Sequence, residues 1–164
     1  MTSRVMIAEP RGARRIRLAQ SAALVYRWTQ TGPQMLLVTS KGTRRWVVPK
    51  GGIKPGRRPH ESAAEEAFEE AGVSGRIARS CIGVYGYRKT NRGYGAYCMV
   101  RVYPMKVTAQ LADWPERKQR RREWVAFDVA AVRVREKDLK KIIQSFYRSL
   151  KDRRNDLRAS DDGT

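Results

Sequence analysis

The sequence predicts an α/β domain built on a mixed β-sheet with helices covering both sides. Apolar, β-prone runs fill both halves of the chain, one helix-forming stretch separates them, and a second helical periodicity closes the sequence. That order of strands, helix, strands and helix argues against a four-helix bundle and against an all-β barrel.

Ser21 to Tyr26 and Gln34 to Thr39 are apolar and β-prone, and Gln30-Thr31-Gly32-Pro33 between them is a turn signal, so the two form a hairpin. Trp46 to Val48 is a third short strand, which runs into Pro49-Lys50-Gly51-Gly52 and a loop marked by Pro55-Gly56 that lasts to about His60. Glu61 to Ala71 lacks Gly, Pro and β-branched residues, and Gly72 stands where a helix end needs positive φ. Arg76 to Tyr87 and Ala96 to Val107 are β-rich, separated by the basic segment Arg88 to Gly95, and predict a second hairpin. Leu111 to Arg122 is a polar loop and Trp124 to Phe127 a short strand. Leu139, Ile142, Ile143, Phe146, Tyr147 and Leu150 keep helical spacing, so the last helix packs on the sheet.

With 164 residues, the chain has the size of one domain with its own core. We expect a basic N-terminal arm over 1–18, a folded domain over 19–150 and a charged tail over 151–164, both ends flexible. The 35 Lys and Arg outweigh 16 Asp and Glu to give a net charge of +19, a field that attracts polyanions without choosing among nucleic acid, anionic membrane and phosphorylated metabolites. Cys81 and Cys98 lie in apolar runs without metal-ligand spacing and are expected to be buried thiols. No apolar stretch is long enough to span a bilayer, and the stretch from Met1 to Leu18 lacks the apolar core of a secretory signal, so the expected location is cytoplasmic and no membrane partner is expected.

On a helical wheel Ala63, Ala64, Ala67, Phe68 and Ala71 share one arc, while Glu65, Glu66, Glu69 and Glu70 share the other. Glu66, Glu69 and Glu70 stand at i, i+3 and i+4 near the helix end, where like charges repel and acids oppose the helix dipole. A divalent cation relieves that repulsion, and clustered carboxylates with a nearby carbonyl supply the hard oxygen donors Mg²⁺ prefers. A solvated acidic face is the plainer reading of the helix in isolation.

The flanking loop decides between them. Positions 51–73, GGIKPGRRPHESAAEEAFEEAGV, resemble the Nudix box, GX5EX7REUXEEXGU with U aliphatic, without a gap. The resemblance implies a Nudix fold, an α/β/α sandwich, and a hydrolase that cuts phosphoanhydride bonds. It implies that Glu66, Glu69, Glu70 and the Gly51 carbonyl hold Mg²⁺, for which Mn²⁺ can substitute, with Glu69, Glu70 or Glu123 as the proton acceptor. Arg57 stands where the family has glutamate and Glu65 where it has arginine, so the exchanged charges predict an ion pair of reversed polarity.

Arg45-Trp46-Val47-Val48-Pro49, Ala112-Asp113-Trp114 and Arg121-Arg122-Glu123-Trp124 resemble the diphosphoinositol polyphosphate phosphohydrolase branch. That resemblance implies diphosphoinositol polyphosphates, diadenosine polyphosphates or inorganic polyphosphate as substrate, although Gln20 stands where inositol-specific relatives are expected to carry a basic residue. Lys41, Arg44, Arg45, Lys50, Arg88, Lys89 and Arg92 are the candidate phosphate contacts, and each has a plain alternative as a solvated loop cation. Alternatives are a Nudix hydrolase of nucleoside triphosphates or RNA caps, a non-catalytic module for a phosphorylated ligand, and an RNA-binding protein, nucleic acid being the less favoured partner.

Overall fold

The computed structural model describes residues 4–5, 17–91 and 94–161. In chain order the elements are β1 (Arg4–Val5), β2 (Arg17–Thr29), β3 (Gly32–Thr39), β4 (Trp46–Val47), β5 (Lys50–Gly52), α1 (Pro59–Ala71), β6 (Val73–Ile77), β7 (Gly83–Asn91), β8 (Tyr94–Gln110), β9 (Arg122–Ala126), α2 (Phe127–Arg133) and α3 (Lys137–Asp161). The strands form a single mixed sheet. Strand β2 runs parallel to β8 over Arg17 to Tyr26, and the other pairings are antiparallel. Both expected hairpins are present, β2–β3 closing at Thr29↔Gly32 and β7–β8 at Asn91↔Tyr94.

Alternation along the central strands makes two cores, because successive side chains leave a strand on opposite faces. Ala23, Val25, Leu36, Val38, Tyr103 and Met105 face α1, which approaches closely through Ala63, Ala67 and Ala71. Ala22, Leu24, Met35, Leu37 and Val102 face the other way, onto Phe127 of α2 and Leu139, Ile143, Phe146 and Leu150 of α3. Helices therefore cover both sides, as the order of elements required. Phe68, placed by the wheel on the packed arc, is instead 42% exposed. The small alanines alone set the contact distance.

Several boundaries differ from the expectation. The apolar run from Arg76 to Tyr87 is two strands, β6 and β7, separated by residues 78–82, and Cys81 in that loop is exposed while Cys98 is buried. Phe127 begins α2, which the sequence reading did not contain. The basic arm lies largely outside the described residues, although β1 pairs with β2 through Arg4↔Leu18. The segment expected as a charged tail from 151 is helical to Asp161, a continuation of α3 in which no Gly or Pro stops the backbone once the apolar spacing ends. No helix of the described residues is long and apolar enough to cross a membrane.

Candidate functional site

Strand β5 sets the site by pairing with β2 through Gln20↔Gly52, Ser21↔Gly51 and Ala22↔Lys50, which fixes the backbone of Lys50 and Gly51 beside α1. The loop that follows turns at Gly56, where φ is 72°, and is tied to the helix by Lys54 N–H donating to the buried Ser62 Oγ at 3.0 Å. Helix α1 starts at Pro59, whose missing N–H costs nothing in a first turn, and Glu61 accepts from Arg58 N–H at 2.8 Å in a capping box. At the other end Gly72 is left-handed, with φ 65°, and donates to Phe68 O at 2.9 Å.

The end of α1 is held by the segment expected as a polar loop, Leu111 to Arg122. Trp114 Nε1 donates to Glu70 O at 3.1 Å, Arg122 Nη1 to Ala71 O at 2.7 Å, and Glu116 N–H to Glu69 O at 3.1 Å. These donors satisfy carbonyls that a helix end leaves without partners. The Arg122 guanidinium also lies 3.9 Å over the Trp114 ring. An acidic last turn with no basic residue of its own thus draws its positive charge from Arg122, at the start of β9.

The three glutamates occupy different surroundings. Glu66 has no hydrogen bond or ion pair among the described residues, and its carboxylate packs so closely on Gly51 that a Cβ there would overlap it. Burial raises the Glu66 pKa, and the charge of Glu69 adds to the rise. Glu69 Oε1 meets Lys54 Nζ at 2.7 Å, and the same ammonium reaches Glu65 Oε2 at 2.9 Å. These contacts, Glu69 before Glu65, raise the Lys54 pKa. Glu70, 5% exposed, meets Arg120 Nη2 at 2.9 Å and accepts from Lys50 N–H at 3.3 Å. Burial nonetheless carries its pKa up to about 7, outweighing Arg120. Arg120 is itself fixed by Glu116 at 2.7 Å and Thr39 O at 3.0 Å. Among the described residues no three His, Cys, Asp or Glu side chains are gathered closely enough to hold one ion between them. The donor set still suits a hard divalent cation, because Glu66 is unpaired and only glycine at 51 lets the backbone meet its carboxylate.

The candidate cations separate. Lys50 bridges the two faces of the sheet: its N–H serves Glu70 on the α1 side, while its ammonium lies 4.6 Å over the Tyr87 ring on the α3 side. Burial pushes the Lys50 pKa down and Glu70 opposes the shift. Arg45 is ion-paired to Glu136 at 2.7 Å, and Lys41 pairs with Glu116. Arg44 is exposed with φ 56°. Arg88 and Lys89 are exposed neighbours on β7, so they leave opposite faces, and Lys89 shares the face of Tyr85 and Tyr87. Arg92 lies outside the described residues. Glu123 is cross-strand to Leu37 on the α3 side and meets Arg133 at 2.9 Å, away from the α1 carboxylates.

A NUDIX domain profile matches residues 18–149. The chain belongs to the NUDIX family. It is 33% identical over 125 residues to Nudix hydrolase 12, mitochondrial, of Arabidopsis thaliana, covering 74% of this chain and 62% of that protein. It is 35% identical over 107 residues to diphosphoinositol polyphosphate phosphohydrolase 2 of Rattus norvegicus, covering 64% of this chain and 56% of that protein. The chain thus spans less than two thirds of the length of either relative. An Ap4A hydrolase structure from C. elegans superposes with TM-score 0.61 at 18% identity, covering 80% of this chain and 96% of that one. The MutT protein structure from Methanosarcina mazei gives 0.63 at 19%, covering 85% and 99%. At these identities the likeness establishes the Nudix fold.

Within the Nudix frame, the exchanged charges meet as expected: Arg57 Nε lies 3.0 Å from Glu65 Oε1. Sequence reasoning missed Lys54, Ser62, Glu116 and Arg120. Lys54 and Ser62 lie inside the Nudix box but at positions where its pattern fixes no residue type. Glu116 and Arg120 are distant in sequence, and nothing in their spacing marks them.

Proposed function

We propose that this chain is a Mg²⁺-dependent hydrolase of phosphoanhydride bonds in polyphosphorylated small molecules: diphosphoinositol polyphosphates, diadenosine polyphosphates or inorganic polyphosphate. The observation that carries the reading is the unpaired Glu66 carboxylate packed against the Gly51 backbone, on an acidic helix face bordered by cations. The names of the relatives, one a diphosphoinositol polyphosphate phosphohydrolase and one an Ap4A hydrolase, support the substrate class.

Glu66, Glu69, Glu70 and the Gly51 carbonyl are the residues we assign to the metal, with Mn²⁺ as a substitute. When bound, a divalent cation there polarises a phosphoryl oxygen and lowers the pKa of water. The chain's own residues do the rest. Arg120 and the Lys50 N–H hold the Glu70 carboxylate in one orientation, and Lys54 spans Glu65 and Glu69, limiting the repulsion along the acidic face. Glu69 and Glu70 remain the candidates for accepting the proton. Lys50 and Lys89, which share the face of Tyr87, are the cations we assign to the substrate's phosphate oxygens. A pure RNA-binding role is disfavoured because Tyr85, one of the aromatics a stacking platform would need, is buried.

The test is a Mg²⁺ activity panel of diphosphoinositol polyphosphate, diadenosine polyphosphate, tripolyphosphate, nucleoside triphosphate and capped RNA, with Glu66→Gln as control. Turnover of the first group that Glu66→Gln abolishes without loss of fold is expected. Turnover confined to nucleoside triphosphate or capped RNA selects the other hydrolase reading, and turnover of none rejects hydrolysis.

A further inference from the structure

The geometry points to a second binding site, for single-stranded nucleic acid, in a basic groove that runs along the C-terminal half of α3 beside the β2–β3 hairpin. It goes beyond the hydrolase reading and stands or falls apart from it.

Three clefts of about 490, 380 and 290 Å³ follow one another along α3. The first two share Tyr26 and Arg153 as walls and the last two share Trp28 and Arg154, so they join into one groove. Its basic lining is Arg76, Lys106, Lys151, Arg153, Arg154 and Arg158, and no Asp or Glu lines it among the described residues. None of the six is ion-paired among the described residues, in a chain whose Lys41, Arg45, Lys54 and Arg120 all meet carboxylates. Asp152 and Asp156 are exposed and stand two positions either side of Arg154, about 160° round the helix from it. The helix thus keeps these acids away from the groove. Leu150 is the last residue of α3 in the core, yet the helix continues to Asp161, and that continuation carries four of the six cations.

Rings alternate with the charges. Arg154 lies 5.1 Å over the Trp28 ring and Lys151 lies 4.8 Å over the Tyr147 ring. Tyr26, Trp28 and Tyr147 are half-buried against the core, Tyr26 edge-on to Phe146 at 5.2 Å and Tyr147 stacked on Phe127 at 5.3 Å, so they need little ordering when a ligand arrives. A single strand supplies what both parts of this lining accept: phosphates for the cations, and unpaired base faces for rings and guanidinium planes. A duplex keeps its base faces stacked on one another. An anionic bilayer is flat, and here the rings are recessed while acids stand on the outer side of the helix. Trp28 is seven residues along β2 from Ser21, the partner of Gly51, which puts the groove about 23 Å from the phosphoanhydride site.

The test measures fluorescence anisotropy of full chains at about 0.1 M salt with labelled RNA and DNA single strands of about 12 nucleotides, and with the matching duplexes. Wild type is compared with a groove variant, Lys151→Gln, Arg154→Gln and Arg158→Gln combined. A control variant removes as many charges at exposed positions outside the groove, through Lys118→Gln, Arg135→Gln and Lys137→Gln. Wild type should bind single strands more tightly than duplex. The groove variant should lose about tenfold or more in affinity, and its slope of log affinity against log salt should shrink by about 2, at about 0.7 per lost contact. The control should lose less than about threefold, since screened charges away from the strand act weakly. Both variants should keep the wild-type Tm and phosphoanhydride turnover. Tighter binding of RNA or of DNA names the natural ligand, and either supports the site. Equal losses in the two variants, duplex bound as tightly as single strand, or phosphatidylserine vesicles bound where oligonucleotides are not, overturn it. If the groove variant does not fold, Lys151→Gln with Arg158→Gln, both at exposed positions, carries the comparison with a slope change of about 1. Hydrolysis without oligonucleotide binding overturns this site alone, and binding without hydrolysis overturns only the hydrolase reading.

Discussion

Replacing Glu70 with Gln tests whether the buried carboxylate serves a ligand or the fold. Burial carries its pKa from the ordinary 4.5 to about 7 even though Arg120 stands beside it. A carboxyl with a raised folded pKa binds protons more tightly when folded, so its ionisation lowers stability as pH rises from 4.5 toward 7, and the full cost applies above that. At 1.36 kcal/mol per pH unit the cost is about 3 kcal/mol in the metal-free protein. The amide removes the charge, whereas Arg120 keeps Glu116 and Thr39 O. In EDTA at pH 8, Glu70→Gln should therefore match wild type or exceed it by up to about 3 kcal/mol, a margin that shrinks toward pH 5. Adding Mg²⁺ should raise the wild-type Tm and leave the variant unmoved, because a ligand stabilises only a state that binds it. Thermal unfolding at pH 5, 7 and 8, with EDTA and with Mg²⁺, supplies every comparison. A metal-free variant less stable than wild type at pH 8 would refute the reasoning and make Glu70–Arg120 a structural clamp.

Two further predictions use the same geometry. The Arg57–Glu65 pair, with side chains 56% and 31% exposed, should give a coupling energy of about 0.2 to 1 kcal/mol in a double-mutant cycle, and the exchanged chain Arg57→Glu with Glu65→Arg should keep fold and turnover; no measurable coupling removes its role in fastening the loop. Lys89→Ala should raise KM for a polyphosphate substrate with kcat near wild type, whereas Arg88→Ala should change neither, because adjacent strand residues leave opposite faces. Steady-state kinetics on both single variants checks this, and equal effects would show that the end of β7 does not hold them apart.

What the sequence made legible was whatever local periodicity controls. The helix at 59–71, its glycine stop and its alanine face follow from spacing over a few residues, and so do the two hairpins. Phe68 was misplaced because a wheel gives an angle and not a neighbour: three alanines already close the approach to the sheet, which leaves the larger ring outside. Helix α2 was invisible since seven residues offer barely two turns of pattern. The continuation of α3 past Leu150 was missed because apolar spacing ends there although helix propensity does not.

The partners of the carboxylates were illegible for a different reason. Arg120 is 50 positions from Glu70 and Arg122 is 51 from Ala71, and in a chain with 35 Lys and Arg no cation stands out as the one a distant acid will meet. Loop closure selects them. Residues 111–121 must return from the end of β8 to β9, which pairs with β3, and that path crosses the last turn of α1. Trp114, Glu116, Arg120 and Arg122 thereby meet the orphan carbonyls and acids at the helix end. Candidate cations in the segment before the acidic motif, such as Lys41 and Arg45, instead meet acids supplied by later segments. In so basic a chain, the scarce carboxylates decide which cations are paired: Glu116 holds Lys41 and Arg120, and Glu136 holds Arg45.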